Sequence, residues 1–268
     1  MSQSRPAPGE PEVCAGAAAG QITISVVSHG HDDDVRRLLE EISQSAQGWV
    51  ARVVVTHNLP PIGDIPGCDR FEVVQLVNTR PQGFARNHNL AFEHCVGDFF
   101  CILNPDVHGT TPELWSALVR TASLPGVACA YPELHNPDGS QQDHERALLT
   151  PWGLWWRRAM RRPETRVDWV SAACWVVPAS VWRSIGGFDE GFRMYVEDAQ
   201  WCLRAQIAGL RLARAQAALT HRAHRASRSS LKYLGWHLFS LLRLWSQPVF
   251  YRYLLFRDRL PVSAKSEA

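Results

Sequence analysis

Short β-branched runs, helical apolar periods between them and a polar turn closing each run predict an α/β fold with a Rossmann-like, mostly parallel central sheet flanked by helices. Ile22-Thr-Ile-Ser-Val-Val27 is apolar enough for a strand buried on both faces, and Ser28-His29-Gly30 ends it. Leu38, Leu39 and Ile42 then recur at helical spacing behind Asp32 or Asp33 as the cap. Val53-Val-Val55 returns as a second strand, closed by His57-Asn58-Leu59-Pro60-Pro61.

The same reading continues along the chain. Phe71 to Val77 is a third strand, Gly83 starts a helix reaching about Cys95, and Phe99 to Leu103 is a fourth strand ending at Asn104-Pro105-Asp106. Ligands of such sheets bind beyond the carboxyl ends of the strands, so Ser28, His57, Asn78 and Asp106 are expected on one rim. Thr110-Thr-Pro-Glu113 reads as a capping-box start of a helix through Val119. Val127 to Tyr131 is the next strand, and a polar loop from Asn136 to Gln142 follows it. Val170 to Val177 is an apolar strand closed by Pro178, with a short helix to Ile185. A Gly186-Gly187 turn precedes a helix from Val196 to Ala208 that Gly209 stops.

Charge divides the chain unevenly. Residues 1–150 hold 9 basic and 18 acidic side chains and residues 151–268 hold 19 and 8, so the second half is expected to face something anionic: donor phosphates, lipid headgroups or nucleic acid. The seven cysteines are scattered, form no CxxC pair and mostly sit in apolar runs, which suits small core side chains in a reducing compartment. Residues 1–20 are Pro, Ala, Gly and Ser without a period and read as a flexible leader that lacks the pattern of a signal peptide. Trp152, Trp155 and Trp156 interleave with Arg157, Arg158, Arg161 and Arg162, a headgroup-level pattern. Residues 231–268 form an amphipathic helical region that His237, Arg243, Gln247 and Arg252 interrupt too often for a spanning helix. It would lie on a membrane or cover the catalytic domain, residues 21–230.

Three groups of residues carry chemistry. Asp106 ends a strand, where a carboxylate can hold a divalent cation against phosphate oxygens or simply make a turn. Glu197 and Asp198 open a helix, where acids favour the dipole but can also take a proton from an attacking hydroxyl. Arg204 lies one helical stretch beyond, within reach of an acid or a diphosphate.

Taken together, Ser28-His29-Gly30, Asn78 with Pro81-Gln-Gly-Phe-Ala-Arg-Asn87-His-Asn89, Leu103-Asn-Pro-Asp-Val107, and Gly186-Gly-Phe-Asp-Glu190 with Glu197-Asp198 and Leu203-Arg204 resemble family 2 glycosyltransferases, in the correct order from about Ile22 to Ser230. The form of the first and third motifs is most similar to bacterial rhamnosyltransferases of cell-surface polysaccharide synthesis. The resemblance implies the GT-A fold with a C-terminal helical, membrane-facing appendage. It implies that Ser28, His29 and His57 stand at the nucleobase, with Asn78, Gly83, Asn87, Asn104 and Arg204 toward the donor. Asp106 and His221 would hold Mg²⁺ or Mn²⁺, and Asp198 would be the base with Glu197 beside it. The sequence departs from the family pattern at His57-Asn58, where an acid is usual, at Gln200, where another Asp is common, and at Asn104, the first position of the DxD motif.

The expected activity is inverting, metal-dependent transfer of a sugar, L-rhamnose from dTDP-rhamnose in the first instance, to a lipid-linked saccharide at the inner face of the plasma membrane. A UDP-sugar donor is the alternative within that class. A non-catalytic protein binding nucleic acid through the basic half is the alternative outside it, but no nucleic-acid module is found and no such partner is expected.

Overall fold

The computed structural model describes residues 21–153, 155, 166–222, 231–260 and 263–264. The leader 1–20 with Cys14, the Trp156 to Arg162 part of the tryptophan and arginine cluster, and His224 lie outside the described residues. In chain order the elements are β1 (Ile22–Ser28), α1 (Asp32–Ser45), β2 (Val50–His57), β3 (Glu72–Val77), α2 (Phe84–Phe92), β4 (Phe99–Leu103), β5 (Val107–His108), α3 (Pro112–Ala122), β6 (Val127–His135), β7 (Glu145–Arg146), β8 (Arg166–Val167), β9 (Trp169–Val170), β10 (Cys174–Pro178), α4 (Ala179–Ile185), α5 (Glu197–Ile207), β11 (Arg211–His221), α6 (Leu231–Ser246), α7 (Pro248–Phe256) and β12 (Ser263–Ala264).

Eight strands form one sheet in the order β3-β2-β1-β4-β10-β6-β11-β5. Strands β1 to β4 are parallel, β10 enters antiparallel between β4 and β6, and β11 runs parallel to β6. The sheet is therefore mixed, with a parallel nucleotide-binding-like half, as the strand and helix periods predict. Alternation along β1 explains its burial on both faces. Ile22, Ile24 and Val26 pack with Val35, Leu38 and Ile42 of α1 in one core layer. The opposite face of the sheet, including Val54, Phe100 and Ile102, joins the second layer. There Trp182 stacks on Trp201 with centroids 5.7 Å apart, and Phe100 and Trp175 flank the pair.

Two expectations need correction. Neither Asp32 nor Asp33 caps α1 from outside: His31 holds the cap position, and Asp32, already helical, turns its carboxylate back to the Ser28 hydroxyl (2.8 Å) and the Ile62 amide (2.7 Å). The apolar run from Val170 to Val177 is not one strand. It breaks at Ser171–Ala173 because its two ends serve different partners, β9 pairing with β7 and β10 with β4 and β6.

Residues 231–260 pack on the domain, one of the two placements expected for this region. Leu241, Leu244, Phe250 and Tyr253 are buried in the second core layer. The Tyr253 hydroxyl donates to Asp168 Oδ1 (2.8 Å) and Gln206 Oε1 (3.1 Å), and the fully buried Asp168 also accepts from Arg166 (2.6 Å) and the Leu148 amide (2.7 Å). Trp245 Nε1 donates to the Leu149 carbonyl. The outer face is the amphipathic one: Leu234, Leu238, Phe239, Leu242, Tyr251, Leu254, Leu255 and Phe256 are exposed. Among the described residues no helix is long and apolar enough to cross a membrane.

Because the Asp168 carboxylate gathers three donors, removing the Tyr253 hydroxyl leaves a buried carboxylate short of one. Tyr253→Phe is expected to lower stability by about 1–3 kcal/mol, read from the urea midpoint at unchanged slope. A midpoint equal to the wild type would show that this seam contributes nothing.

Candidate active site

At the carboxyl end of the sheet, β5 lies antiparallel to the end of β11 in a register that sets His221 opposite Val107. Asp106 consequently meets His221, its Oδ1 3.2 Å from the imidazole Nε2, and the Arg222 amide donates to the Asp106 carbonyl. Asn104 joins them, its Nδ2 3.4 Å from the same Nε2. On the other ring nitrogen, Nδ1 lies 3.0 Å from Gln142 Oε1. Among the described residues no three His, Cys, Asp or Glu side chains gather to hold a metal by themselves. One carboxylate, one imidazole and an amide would need phosphate oxygens or water to complete a coordination shell, which is how Mg²⁺ and Mn²⁺ are commonly carried to nucleotides.

The second pair of acids stands on a strained turn. Tyr195 and Val196 both have φ in the left-handed region, 71° and 73°, a conformation that costs most for a β-branched residue. The turn delivers Glu197 and Asp198 to the first turn of α5, with Glu197 almost withdrawn from water and Asp198 half-buried. Burial first, then the neighbouring Asp198, push Glu197 up to about 8, and its Oε2 has no hydrogen-bond partner. Burial likewise pushes Asp198 up, to about 6, against the stabilising amides of Ala199 and Ala172. Ala172 matters because its neighbour, Ala173, accepts a hydrogen bond from the Asn104 amide (2.9 Å). The break between β9 and β10 is thus bonded on one side to the acid turn and on the other to the strand end bearing Asp106.

What holds the acid turn is a frame of side chains from two helices. Asn89 of α2 pairs both ways with Phe188, donating to its carbonyl and accepting from its amide, each at 2.9 Å. The Phe84 amide donates to the Arg193 carbonyl (3.1 Å), and a Cβ on Gly83 would stand 2.6 Å from that oxygen. Gly83 therefore serves close approach of the acid loop, a reason distinct from contact with a donor. From α6, Arg243 reaches both oxygens of Asp189 at 3.0 Å, Ser240 donates to the Met194 carbonyl, Arg193 lies over the Trp236 ring and His237 against Tyr195. Arg204 belongs to the same frame. Its guanidinium donates to the carbonyls of Ile185 and Gly187 and to Gln200 Oε1, which commits it to the turn after α4.

At the ends of β1 to β3 the polar groups form an amide net. Asn58 accepts from Asn78 Nδ2 (2.9 Å) and the Gln82 amide (2.7 Å) and bonds His29 (3.1 Å), while Asn78 Nδ2 also donates to Asn87 Oδ1 (2.8 Å). Ser28 is buried and committed to Asp32 and the His31 amide. His57 does not reach the rim: its side chain is fully buried toward α1, with Nε2 on Gln75 (3.1 Å) and Nδ1 3.7 Å from Asp32. Strand alternation sends it to the core side, and Asn58, one residue later, takes the rim position. A wide-open cavity of about 530 Å³, lined by residues that include Asp98, Ser123 and Arg183, lies at the opposite end of β4, away from these groups.

No family model matches the chain. It is 25% identical over 243 residues to the rhamnosyltransferase WbbL of Escherichia coli, covering 83% of this chain and 91% of that one. It is 28% identical over 167 residues to an N-acetylglucosaminyl-diphospho-decaprenol L-rhamnosyltransferase of Mycobacterium tuberculosis, spanning 55% of this chain and 54% of the relative. In sequence the chain is similar to family 2 glycosyltransferases, bacterial rhamnosyltransferases among them. The fold agrees. A Pyrobaculum calidifontis mannosyltransferase solved with GDP-Man and Mn²⁺ aligns with a TM-score of 0.55 at 13% identity, over 90% of this chain and 75% of that one. S. aureus TarS with UDP-GlcNAc aligns at 0.55 and 10% identity, over 87% and 71%.

In this chain the raised Glu197 carboxyl links folding to pH. The native state holds a proton that the unfolded chain releases above the ordinary Glu value, so the group's contribution to stability is present at low pH and lost as pH rises toward about 8. Glu197→Gln is expected to flatten the fall in stability between pH 5 and 8, measured by urea unfolding at each pH. An unchanged slope would show that Glu197 is ionised in the fold.

Proposed function

We propose that the protein transfers a sugar with inversion of anomeric configuration from a nucleotide-sugar donor to a lipid-linked saccharide, and that the donor is dTDP-L-rhamnose. The observation that carries the reading is the meeting of Asp106, His221 and Asn104 where β11 ends, with the Asn104 amide bonded to Ala173 of the break before β10. On this reading that group is the cation site, and Asp198, at the start of α5, is the base. The names of the bacterial relatives support the sugar and the diphospho-lipid acceptor.

The residues fit a divalent cation. Asp106 and His221 face each other with Asn104 beside them, and an imidazole that already bonds through its far nitrogen is the usual form of a ligating histidine. Mg²⁺ or Mn²⁺ bound there would neutralise charge on the departing diphosphate. Asp198 takes the proton of the acceptor hydroxyl as its oxygen bonds to the anomeric carbon and the diphosphate leaves from the opposite face. Glu197, kept neutral by burial, leaves the negative charge of the pair on Asp198. Asn58, Asn78 and Asn87 present the amides that meet the donor.

The acceptor reading extends to location: peripheral, on the cytoplasmic face of an anionic membrane. The exposed Leu238, Phe239, Leu242 and Leu255 with Arg252 and Arg259 supply an apolar surface flanked by positive charge, and the stacked, exposed Trp152 and Trp155 add indoles of the kind found at headgroup level.

Incubation with a panel of nucleotide sugars and a synthetic diphospho-lipid acceptor, with and without EDTA, tests the reaction. Product is expected from dTDP-rhamnose and lost with EDTA. Asp198→Asn is expected to retain donor binding and lose transfer by at least about 100-fold, and full turnover by that variant would remove the base. With the base titrating near 6, transfer should rise with pH across that region and level above it. Sedimentation with vesicles containing phosphatidylglycerol is expected to fall strongly for Leu238→Asp with Leu242→Asp, and equal sedimentation would exclude this face from the membrane.

A further inference from the structure

We propose that Gln142 is a positioning residue that holds His221 as the Nδ1–H tautomer, so that an unprotonated Nε2 faces Asp106. The inference rests on the cation site proposed above but can be read in the metal-free protein.

Its logic is a chain of groups that can only donate or only accept. Asn136 Nδ2 donates to the Ser140 carbonyl (3.3 Å) and to its hydroxyl (2.8 Å), which fixes the orientation of that amide and leaves Oδ1 as an acceptor. Gln142 Nε2 uses that acceptor at 3.0 Å and the His221 carbonyl at 2.6 Å, so both amide hydrogens of Gln142 are committed. Its Oε1 must then be the atom toward His221 Nδ1, at 3.0 Å, and an amide oxygen only accepts. A proton therefore sits on Nδ1, and in the neutral form of the ring the lone pair is at Nε2.

The backbone removes the remaining freedom. The Gln142 amide donates to the Leu134 carbonyl at 2.7 Å, and His135 bridges to Gln141, so the polar loop returns to β6 at the height where His221 ends β11. On the far side of the ring, Nε2 lies 3.2 Å from Asp106 Oδ1 and 3.4 Å from Asn104 Nδ2. A lone pair set against a carboxylate oxygen is unfavourable on its own and becomes favourable when a cation is shared between them. Gln142 thus takes the part that a carboxylate or carbonyl takes behind many ligating histidines.

The test is ¹⁵N NMR of the full, metal-free chain at pH 8.5, with His221 identified by its loss in His221→Gln. The Nδ1–H tautomer is expected in the wild type, and Gln142→Met is expected to move the ring toward Nε2–H. Mn²⁺ affinity, followed by EPR, should fall about 10–100-fold in Gln142→Met. A wild-type ring found as Nε2–H or doubly protonated overturns the proposal, as does a Gln142→Met variant with unchanged tautomer and affinity. A wild type that shows Nδ1–H yet binds no Mn²⁺ supports the tautomer assignment while removing the cation site itself. The wild-type spectrum decides the matter even if the substituted chain fails to fold.

Discussion

The arrangement of the molecule turns on the hydrogen bonds made by three residues that belong to no strand. Ser171–Ala173 interrupt an apolar run at the point where the chain leaves one small sheet for the large one. Their backbone groups bond in two directions, the Ser171 amide to the His144 carbonyl and the Ala173 carbonyl to the Asn104 amide. A continuous strand would have kept one set of neighbours along its length, whereas here β9 pairs with β7 and β10 with β4 and β6. The rule that buried backbone groups must find partners is here what couples distant parts of the sequence.

Around that junction the molecule is built unevenly. Aromatic packing beneath the acid turn is dense, with Trp175, Trp182, Trp201 and Phe188 in mutual contact, and it supplies the low-dielectric setting that raises both carboxyls. The donor end relies on amides, and amides carry no net charge. Where the family pattern has an acid after the second strand, this chain has Asn58 at the rim and a buried His57 whose Nδ1 lies near Asp32. An amide both donates and accepts, so base recognition would rest on hydrogen-bond geometry instead of charge.

Much of this was legible in the sequence. The β-branched runs gave the parallel half, and the capping pattern at Thr111 with Pro112 placed α3, whose cap the Thr111 side chain makes to the Leu114 amide. The association of Asp106 with His221 came from resemblance alone, since 115 positions separate them and only the antiparallel pairing of β5 with β11 brings them together. Three things were not legible. Apolar continuity hid the break at Ser171, because hydrophobicity does not reveal a change of partner. Arg204 and Gly83 look alike in a ligand role and a packing role until their carbonyl neighbours are known. Gln142 sat in a polar loop without period, and nothing local distinguishes a glutamine that orients an imidazole from one that faces solvent.

The left-handed conformation at Tyr195 and Val196 has a consequence for assembly. Two residues that resist such backbone angles do not adopt them spontaneously, and here the supports come from Asn89, 99 positions upstream of its partner, and Arg243, 54 positions downstream of its own. Competence for chemistry is therefore a late event: a chain still emerging from the ribosome, or one clipped before its final helices, carries every carboxylate yet lacks the scaffold that aims them.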